Sequence, residues 1–251
     1  MSNRAFLLSA VFVILFSLAP QASVREDFEK GNSAYQEGRF DSAIVYYEAV
    51  ADLGVQSAAL CFNLGNAYFK SGDLGQAILF YLRARRMDPA DEDIVSNLEF
   101  ARSFTRVQME GVRLNPINSF VESMVSSYRI DTLAWISSLF FILLFGFLSV
   151  RFGLGITNPG VRVGLALAVI FLLLSSLVTT FKYRTDYLTR RAVLVADEVP
   201  ILTGPSADLD IELQGAPGLV VEILSESGDW YNVSFENKRR GWVLKELVAE
   251  V

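Results

Sequence analysis

Residues 63–89, NLGNAYFKSGDLGQAILFYLRARRMDP, carry small and aromatic side chains at regular intervals on both sides of a glycine-containing turn. The same pattern occurs 34 residues upstream, so that Gly31 matches Gly65 and Tyr47 matches Tyr81. Apolar and small residues that recur at helical spacing around a short turn indicate two antiparallel helices. The sequence therefore predicts two consecutive helix pairs that belong to one kind of repeat.

Seven residues of this stretch stand at the intervals of the tetratricopeptide repeat (TPR): Leu64, Gly65, Tyr68, Ala77, Tyr81, Ala84 and Pro89. We expect the second repeat to cover residues 58–91, because this copy resembles the family pattern at nearly every diagnostic position. The first repeat, residues 24–57, departs from the pattern at Lys30 and Ala34 and is assigned mainly by the 34-residue register.

A third segment, residues 92–106, places Asn97 and Leu98 one period after Asn63 and Leu64. Solenoid domains need a terminal element that covers the last apolar face. This segment is therefore expected to form a capping helix, which completes a TPR domain over residues 24–106.

The TPR resemblance implies a concave groove that is lined by the first helix of each pair. Two asparagines match this lining, and a side-chain amide both donates and accepts hydrogen bonds, which suits the backbone of an extended peptide. Aromatic neighbours supply apolar contact area. In the alternative interpretation, the asparagines form hydrogen bonds only within the helix pair. The candidate partner-binding residues are Phe28, Asn32, Tyr35, Gln36, Phe62, Asn66, Phe69 and Lys70.

The composition requires a region that is more apolar than the predicted TPR domain. Hydrophobic residues make up 52% of the chain and charged residues 20%, which is more apolar than an ordinary soluble protein. The 19-residue runs at 132–150 and 163–181 hold no charged residue, and each spans about 28 Å as a helix. We predict transmembrane helices at 130–150 and 162–181, joined by a short loop at 151–161. The alternative is two buried helices in a large soluble core.

The first 23 residues have the plan of a signal peptide, with Arg4 followed by an uncharged apolar run and small residues. An uncleaved anchor is the alternative.

Because the predicted loop is short, the TPR part shares a compartment with the C-terminal part. We expect the bacterial cytoplasmic (inner) membrane, with both soluble parts on the outer, periplasmic side. Arg151 and Arg162 beside the loop agree with the positive-inside rule, whereas Lys182 and Arg184 after the second span do not.

Residues 107–129 are predicted to form an amphipathic linker helix, with Asn115 as its N-cap and Pro116 at its first position. Packing against the end of the TPR domain and lying on the membrane surface are both consistent with this pattern. Either location holds the repeats close to the bilayer. The residues on its apolar face are Ile117, Phe120, Val121, Met124, Val125 and Tyr128.

After Tyr187 the pattern changes to short alternating strands, which are separated by Gly, Pro, Asp and Asn turns. The motifs GDWYNV at 228–233 and RGWVLKELV at 240–248 resemble bacterial SH3-like domains. The resemblance implies a small all-β barrel over residues 188–251. Its aromatic residues are a candidate site for a peptide or a cell-wall fragment, although the two tryptophans are equally suited to complete a small core: Trp230, Tyr231 and Trp242.

The chain offers little for catalysis. It has no His, which removes the commonest general base and metal ligand at neutral pH, and its only thiol, Cys61, occupies an apolar helix position. It contains no phosphate-binding loop motif, and the net charge of −6 argues against a nucleic acid as partner. We therefore predict a protein that is not an enzyme and that uses no metal and no cofactor.

A signal peptide, two TPR repeats, a membrane hairpin and an SH3-like domain together resemble the BatE-like proteins of bacterial aerotolerance operons. The fold class is then multi-domain, with an all-α TPR solenoid, a two-helix transmembrane hairpin and a C-terminal all-β SH3-like barrel. The resemblance implies membrane-protein partners, namely von Willebrand factor A-type proteins and a MoxR-type ATPase system, in an envelope complex linked to aerotolerance or stress.

Two functions follow as hypotheses. The leading one is a membrane-anchored adaptor, or scaffold, whose TPR groove binds a partner protein. The alternative is a cell-wall sensor in which the SH3-like domain binds peptidoglycan or peptide.

Overall fold

The computed structural model describes residues 23–106, 125, 128–235 and 238–251. It contains helical repeats, two long apolar helices and an antiparallel sheet in this order along the chain, which confirms the predicted fold class. The predicted signal peptide lies outside the described residues except for Ser23. Most of the predicted linker helix, including residues 107–124, also lies outside them.

Five helices form the repeat region, and consecutive helices pack against each other. Polar side chains define two of the helix starts, because Ser57 Oγ accepts from Leu60 N at 3.1 Å and Asp73 Oδ1 accepts from Gln76 N at 2.9 Å. Gly72, with a φ of 97°, ends the third helix in the left-handed conformation that glycine favours. The helices are α1 (described over residues 23–36), α2 (Phe40–Asp52), α3 (Ala58–Ser71), α4 (Leu74–Met87) and α5 (Glu92–Arg106).

The two helices of each repeat approach closely because a glycine of the first helix faces a tyrosine ring of the second. A β-carbon added at Gly65 would lie 2.6 Å from Cδ1 of Tyr81, and one at Gly31 would lie 2.5 Å from Cε1 of Tyr47. Neither distance leaves room for a methyl group. Both tyrosines are almost fully buried. The glycines therefore set the spacing of both helix pairs.

The two apolar helices form a hairpin, α6 (Ile130–Leu148) and α7 (Pro159–Tyr183), and each continues into a π-helical segment, Ser149–Gly153 and Arg184–Leu188. Asn158 begins α7 by accepting from Val161 N at 2.9 Å. Inside the hairpin, Phe140 and Phe171 stack with ring centroids 5.3 Å apart. The hydroxyls of Ser137 and Thr179 lie 3.2 Å apart and share a hydrogen bond.

The outer surface of this hairpin is apolar and uncovered by the described parts of the chain. Only 6% of the most apolar stretch of α6 and 11% of that of α7 is buried. The core helices of a soluble protein would bury most of such a surface. Both helices are long enough to cross a bilayer, and their exposed apolar surface indicates a membrane anchor. Examples of the exposed side chains are Leu139, Ile142, Leu173 and Leu177.

Seven antiparallel strands form the C-terminal domain, in the spatial order β3-β2-β6-β5-β4-β1-β7. Buried side chains such as Leu194, Ile201 and Val233 meet in one apolar core, so the sheet curves around them. The strands are β1 (Arg191–Leu194), β2 (Val199–Leu202), β3 (Ile211–Gly215), β4 (Val220–Ser227), β5 (Trp230–Ser234), β6 (Arg240–Leu244) and β7 (Val248–Glu250).

The sheet domain packs directly against helix α4, an arrangement that the sequence pattern does not predict. Leu79 of α4 and Val193 of β1 belong to one buried apolar cluster. At Gly75 the two backbones approach so closely that an added β-carbon would lie 2.7 Å from Cα of Val195. Apolar burial therefore joins the repeats to the sheet domain, and a glycine permits the close approach.

Gly65→Ala is expected to destabilise the second helix pair, because the new methyl group would overlap the ring of Tyr81. Overpacking costs about 1–3 kcal/mol, which outweighs a gain of up to roughly 1 kcal/mol in helix propensity. Hydrogen exchange of the full-length protein in detergent should become faster in α3 and α4. The matched control is Gly146→Ala in α6, where an added β-carbon meets nothing within 4 Å. Unchanged exchange in the Gly65 variant would contradict the packing argument.

Candidate functional site

A ladder of tyrosine and asparagine hydrogen bonds runs through the repeats. In the first repeat, Tyr47 Oη donates to Asn32 Oδ1 at 2.8 Å, and Asn63 Nδ2 donates to the same oxygen at 3.2 Å. Asn63 belongs to the second repeat, so this oxygen connects a helix pair to its neighbour. The ladder therefore stabilises both the pairing of the helices and the stacking of the repeats.

The same contacts recur one period later. Tyr81 Oη donates to Asn66 Oδ1 at 2.7 Å, and Asn97 Nδ2 donates to this oxygen at 3.0 Å. Because Asn97 lies on α5, this helix occupies the place that the first helix of a third repeat would take. The predicted groove is therefore expected on the side of the repeats that is formed by α1, α3 and α5.

The hydroxyls of Tyr47 and Tyr81 are protonated at neutral pH, because the ordinary pKa of a tyrosine is about 10. Burial raises the pKa of both phenols further, so they act as hydrogen-bond donors. Each asparagine therefore directs its oxygen toward a tyrosine. Within the described residues, Nδ2 of Asn32 and Nδ2 of Asn66 have no hydrogen-bond partner. These two amide groups are free to donate to a bound molecule.

A small cavity of about 140 Å³ lies beside these amides. Small-molecule sites are typically larger, at roughly 300–1,000 Å³, so this cavity suits a single side chain or a short length of main chain. Its lining contains four of the eight predicted groove residues together with two that were not predicted. The lining residues are Asn32, Tyr35, Gln36 and Asn66, with Tyr47 and Asn63 in addition.

The other predicted groove residues lie elsewhere on the same helices. Phe28 packs against Tyr47 with ring centroids 5.7 Å apart, and Phe62 packs against Tyr81 with centroids 6.0 Å apart. These two phenylalanines therefore contribute to the packing of the helix pairs. Lys70 is exposed in the last turn of α3.

Phe69, the remaining predicted residue, belongs to an aromatic cluster with Phe100 and Phe104 of α5, in which the ring centroids are 5.3–5.8 Å apart. Phe100 is 57% exposed and Phe104 is 54% exposed. Phe100 follows Asn66 by one period, and Phe104 follows Lys70 by one period. The 34-residue register that relates Asn97 to Asn63 therefore also identifies these two phenylalanines, which are not among the predicted groove residues.

The two tryptophans of the sheet domain lie on the outer face of the hairpin formed by β5 and β6. Successive side chains of a strand point to opposite faces, and Val233 and Val243 are buried in the core on the other face. Trp230 and Trp242 are partly exposed, and they are not among the described side chains that form the core. Asn232 lies directly opposite Trp242 in the strand register.

Tyr231 takes the core-facing side of β5 and is therefore separated from the tryptophans. Its ring packs against the core, and its Oη donates to Glu250 Oε1 at 2.9 Å. Lys245 Nζ lies 5.0 Å from the ring centroid. The three aromatic residues predicted to form one ligand site consequently do not share one surface, because adjacent residues of a strand alternate between faces.

Asn232 adds an unusual polar atom to the tryptophan face. Its Oδ1 is buried and accepts no hydrogen bond from the described part of the chain. Leaving a buried acceptor unpaired costs about 1–3 kcal/mol.

Neither a reactive thiol nor a metal site is evident in the described segments. Cys61 is buried, and burial raises the pKa of its thiol, so the reactive thiolate is disfavoured. No cluster of three or more His, Cys, Asp or Glu side chains that could hold a metal ion occurs among the described residues.

Comparison with known proteins identifies the two soluble modules. The tetratricopeptide repeat family matches residues 28–92, and the bacterial SH3 domain family matches residues 195–250. No curated protein matches the chain. Among solved structures, the Arabidopsis OM64 TPR domain is similar at 21% identity with a TM-score of 0.33, over 34% of this chain and 70% of that one. The chain therefore contains TPR repeats and a bacterial SH3 domain, which are typically non-catalytic interaction modules.

Asn66→Ala is expected to destabilise the repeats by about 1–3 kcal/mol, because it leaves the donors of Tyr81 and Asn97 unpaired. Asn66→Asp keeps an oxygen acceptor in the same place and is expected to retain most of the stability. Thermal unfolding of the full-length protein in detergent, followed by the loss of helical circular dichroism, measures both. Equal destabilisation by the two variants would show that the oxygen is not the stabilising atom.

Proposed function

We propose that this protein is a membrane-anchored adaptor whose TPR groove binds an extended segment of a partner protein. The observation that carries the proposal is the pair of amides of Asn32 and Asn66, whose oxygens are held by tyrosines while both Nδ2 donors are left beside the cavity. An extended chain presents main-chain carbonyl groups that accept such hydrogen bonds. The TPR repeats and the SH3 domain support a function in binding other proteins, because both are interaction modules.

The groove becomes more apolar along its length, which defines the chemistry of the partner segment. Asn32 and Asn66 are followed one period later by Phe100, and Gln36 and Lys70 are followed by Phe104. Polar side chains thus give way to an exposed aromatic surface at α5. The partner places main-chain or polar groups beside the asparagines and an apolar side chain on the phenylalanine cluster.

The hairpin holds this groove at a membrane. Ile130 begins α6 and Tyr183 ends α7, so the ends of the hairpin that lead to the repeats and to the sheet domain lie on one side of the bilayer. We assign this side to the periplasmic face of the bacterial cytoplasmic membrane. The signal-peptide pattern of residues 1–23 and the bacterial type of the SH3 domain support that assignment.

The combination of modules supports a place among the BatE-like proteins. Their TPR repeats, membrane hairpin and SH3-like domain occur here in the same order. The partners are then von Willebrand factor A-type membrane proteins that work with a MoxR-type ATPase system, in an envelope complex linked to aerotolerance or stress.

The adaptor function predicts that Asn32→Asp combined with Asn66→Asp weakens partner retention by roughly tenfold or more, because both amide donors are lost while the oxygen acceptors stay. Quantitative mass spectrometry of the proteins that co-purify from solubilised membranes measures this. Phe100→Ala combined with Phe104→Ala is expected to weaken retention of the same partner.

The matched control is Gln214→Glu, an equivalent change from amide to carboxylate at an exposed position of the sheet domain. It should leave retention unchanged. If the double asparagine variant unfolds like the wild type and still retains its partner fully, the groove is not the binding site.

The proposed orientation is testable by cysteine accessibility, since the native Cys61 is buried and gives a low background. Ser206→Cys in the sheet domain and Thr157→Cys in the hairpin loop both introduce a thiol at an exposed position. A membrane-impermeant maleimide should label the Ser206 variant in intact spheroplasts and the Thr157 variant only after lysis. The opposite result would reverse the orientation and exclude contact with the cell wall.

A second function, as a cell-wall sensor, is favoured by one observation on the sheet domain. Trp230 and Trp242 are partly exposed on the face that also carries Asn232, and aromatic surface beside an amide group suits a saccharide or peptide. Retention of the full-length protein on purified cell wall, lost in Trp230→Ala or Trp242→Ala, would favour the sensor. Unaltered retention in both variants would favour the adaptor.

A further inference from the structure

Helix α4 differs from α2 on one face, although the two helices hold the same place in consecutive repeats. Positions that are four and three residues apart lie on one side of a helix. In α2 such a set is exposed to solvent, and it consists of Asp41, Val45 and Glu48. The matching positions of α4, one period later, are all buried, and they are Gly75, Leu79 and Leu82. Two acidic positions of α2 are thus a glycine and a leucine in α4.

The sheet domain covers this face of α4. Leu79 and Leu82 belong to one buried apolar cluster with Val193 of β1, and Ala249 of β7 packs against that cluster. A β-carbon added at Gly75 would lie within 3.0 Å of three main-chain atoms at the end of β1. A side chain as large as aspartate, which α2 carries at the matching position, would not fit there. The difference between the two helices therefore matches the contact with the sheet domain.

Two hydrogen bonds reinforce the contact at the other end of α4. Arg83 Nη2 donates to the main-chain oxygen of Glu250 at 2.7 Å, and Arg86 Nη1 donates to that of Val251 at 3.1 Å. At the matching positions α2 carries side chains that offer no donor to a main-chain oxygen, Ala49 and Asp52. Both the apolar and the polar contacts with the sheet domain thus depend on residues that α4 carries and α2 lacks.

The docked sheet domain also reaches α5. Gly218 lies between β3 and β4 with a φ of 84°, and a β-carbon added there would lie 2.5 Å from Cδ1 of Ile78 and 2.9 Å from Cγ2 of Thr105. Thr105 is buried, and it follows Phe104 of the exposed aromatic cluster directly in the chain. The sheet domain therefore packs against the helix that carries Tyr81 and against the end of the helix that carries Phe104.

We propose that the sheet domain is a built-in support of the TPR groove, and that α4 and α5 keep their groove geometry only while it is docked. Loss of the docked domain would expose Leu79 and Leu82 to water. Tyr81, which orients Asn66 through a hydrogen bond, belongs to the same helix. The end of α5 would lose its contact with Gly218 in the same step. An SH3 domain that serves in this way has the repeats of its own chain as a permanent partner.

The docked surface leaves the tryptophan face available. It is formed by β1, by β7 and by the turn before β4, whereas Trp230 and Trp242 lie on the β5–β6 hairpin and remain partly exposed. Support of the groove and binding of a ligand by the sheet domain are therefore sterically compatible.

The first test is Gly75→Ala in the full-length protein in detergent, followed by hydrogen exchange and mass spectrometry. Alanine is the better helix former, so an independent TPR domain would exchange at the same rate or more slowly. The docked domain predicts the opposite, because the new methyl group overlaps the main chain at the end of β1. Exchange in α4 and α5 should become about tenfold faster. The matched control, Gly146→Ala, adds a β-carbon that meets nothing within 4 Å and should leave this exchange unchanged.

A second variant disturbs the contact from the side of the sheet domain and leaves the sequence of the repeats intact. Ala249 pairs with Val193 in the strand register and packs against the cluster that contains Leu79. Ala249→Asp would bury a charge in this contact, so exchange in α4 and α5 should again become faster. The matched control is Ala207→Asp, the same change at an exposed turn of the sheet domain.

Unchanged or slower exchange of α4 and α5 in either docking variant would overturn the inference, because the TPR domain would then be independent of the sheet domain. Retention of the partner from solubilised membranes is a separate measurement that rests on the proposed function, and both variants should weaken it. Faster exchange with full retention would contradict partner binding in the groove and leave the docking inference standing. Unchanged exchange with weakened retention would overturn the docking inference alone.

Discussion

Helix α4 packs on two sides, and this double packing positions the rest of the structure. On one side, the ring of Tyr81 fits against Gly65 of α3 and its hydroxyl orders Asn66 in the groove. On the other side, Gly75 contacts Val195 of the sheet domain. The 14 residues of α4 span about 21 Å and contact both α3 and the sheet domain, so this helix connects the repeats to the sheet domain. The last turn of α4 lies near the start of α6 and the end of α7, because Arg86 lines one cavity together with Ile130 and Lys182.

The tyrosine and asparagine ladder is compatible with both a stabilising role of Asn32 and Asn66 and the proposed role of these residues in partner binding. If Asn32 and Asn66 each had a single role, that role would be either a hydrogen bond within the repeats or a contact with a partner. The oxygen of each asparagine accepts from a tyrosine, whereas the nitrogen is left as a donor, so the stabilising role and the proposed binding role use different atoms. A primary amide is well suited to this division, since it carries an acceptor and two donors on one planar group.

Local patterns in the sequence determine much of this architecture. The 34-residue period, Gly72 at a helix end and the charge-free runs at 132–150 and 163–181 depend on residues that are close together in the sequence. Helical periodicity and turn residues predict where helices form and end, because both depend only on residues that are near each other in the sequence. Half of the predicted groove residues meet at one cavity because a solenoid repeats the same geometry every period. The same period also marks Phe100 and Phe104.

Tertiary structure alone decided the contacts between segments that are far apart in the chain. Nothing in the helical pattern of Gly75 and Leu79 indicates that they meet Val195 and Val193, because complementary shape leaves no periodic signal in either segment. A cavity of about 910 Å³ depends on that docking, since its lining comes from the repeats, the hairpin and the sheet domain together. The sequence by itself determined the modules and their order along the chain. Only the tertiary structure decided how the modules pack against each other, because their contact surfaces come from distant segments that no local pattern connects.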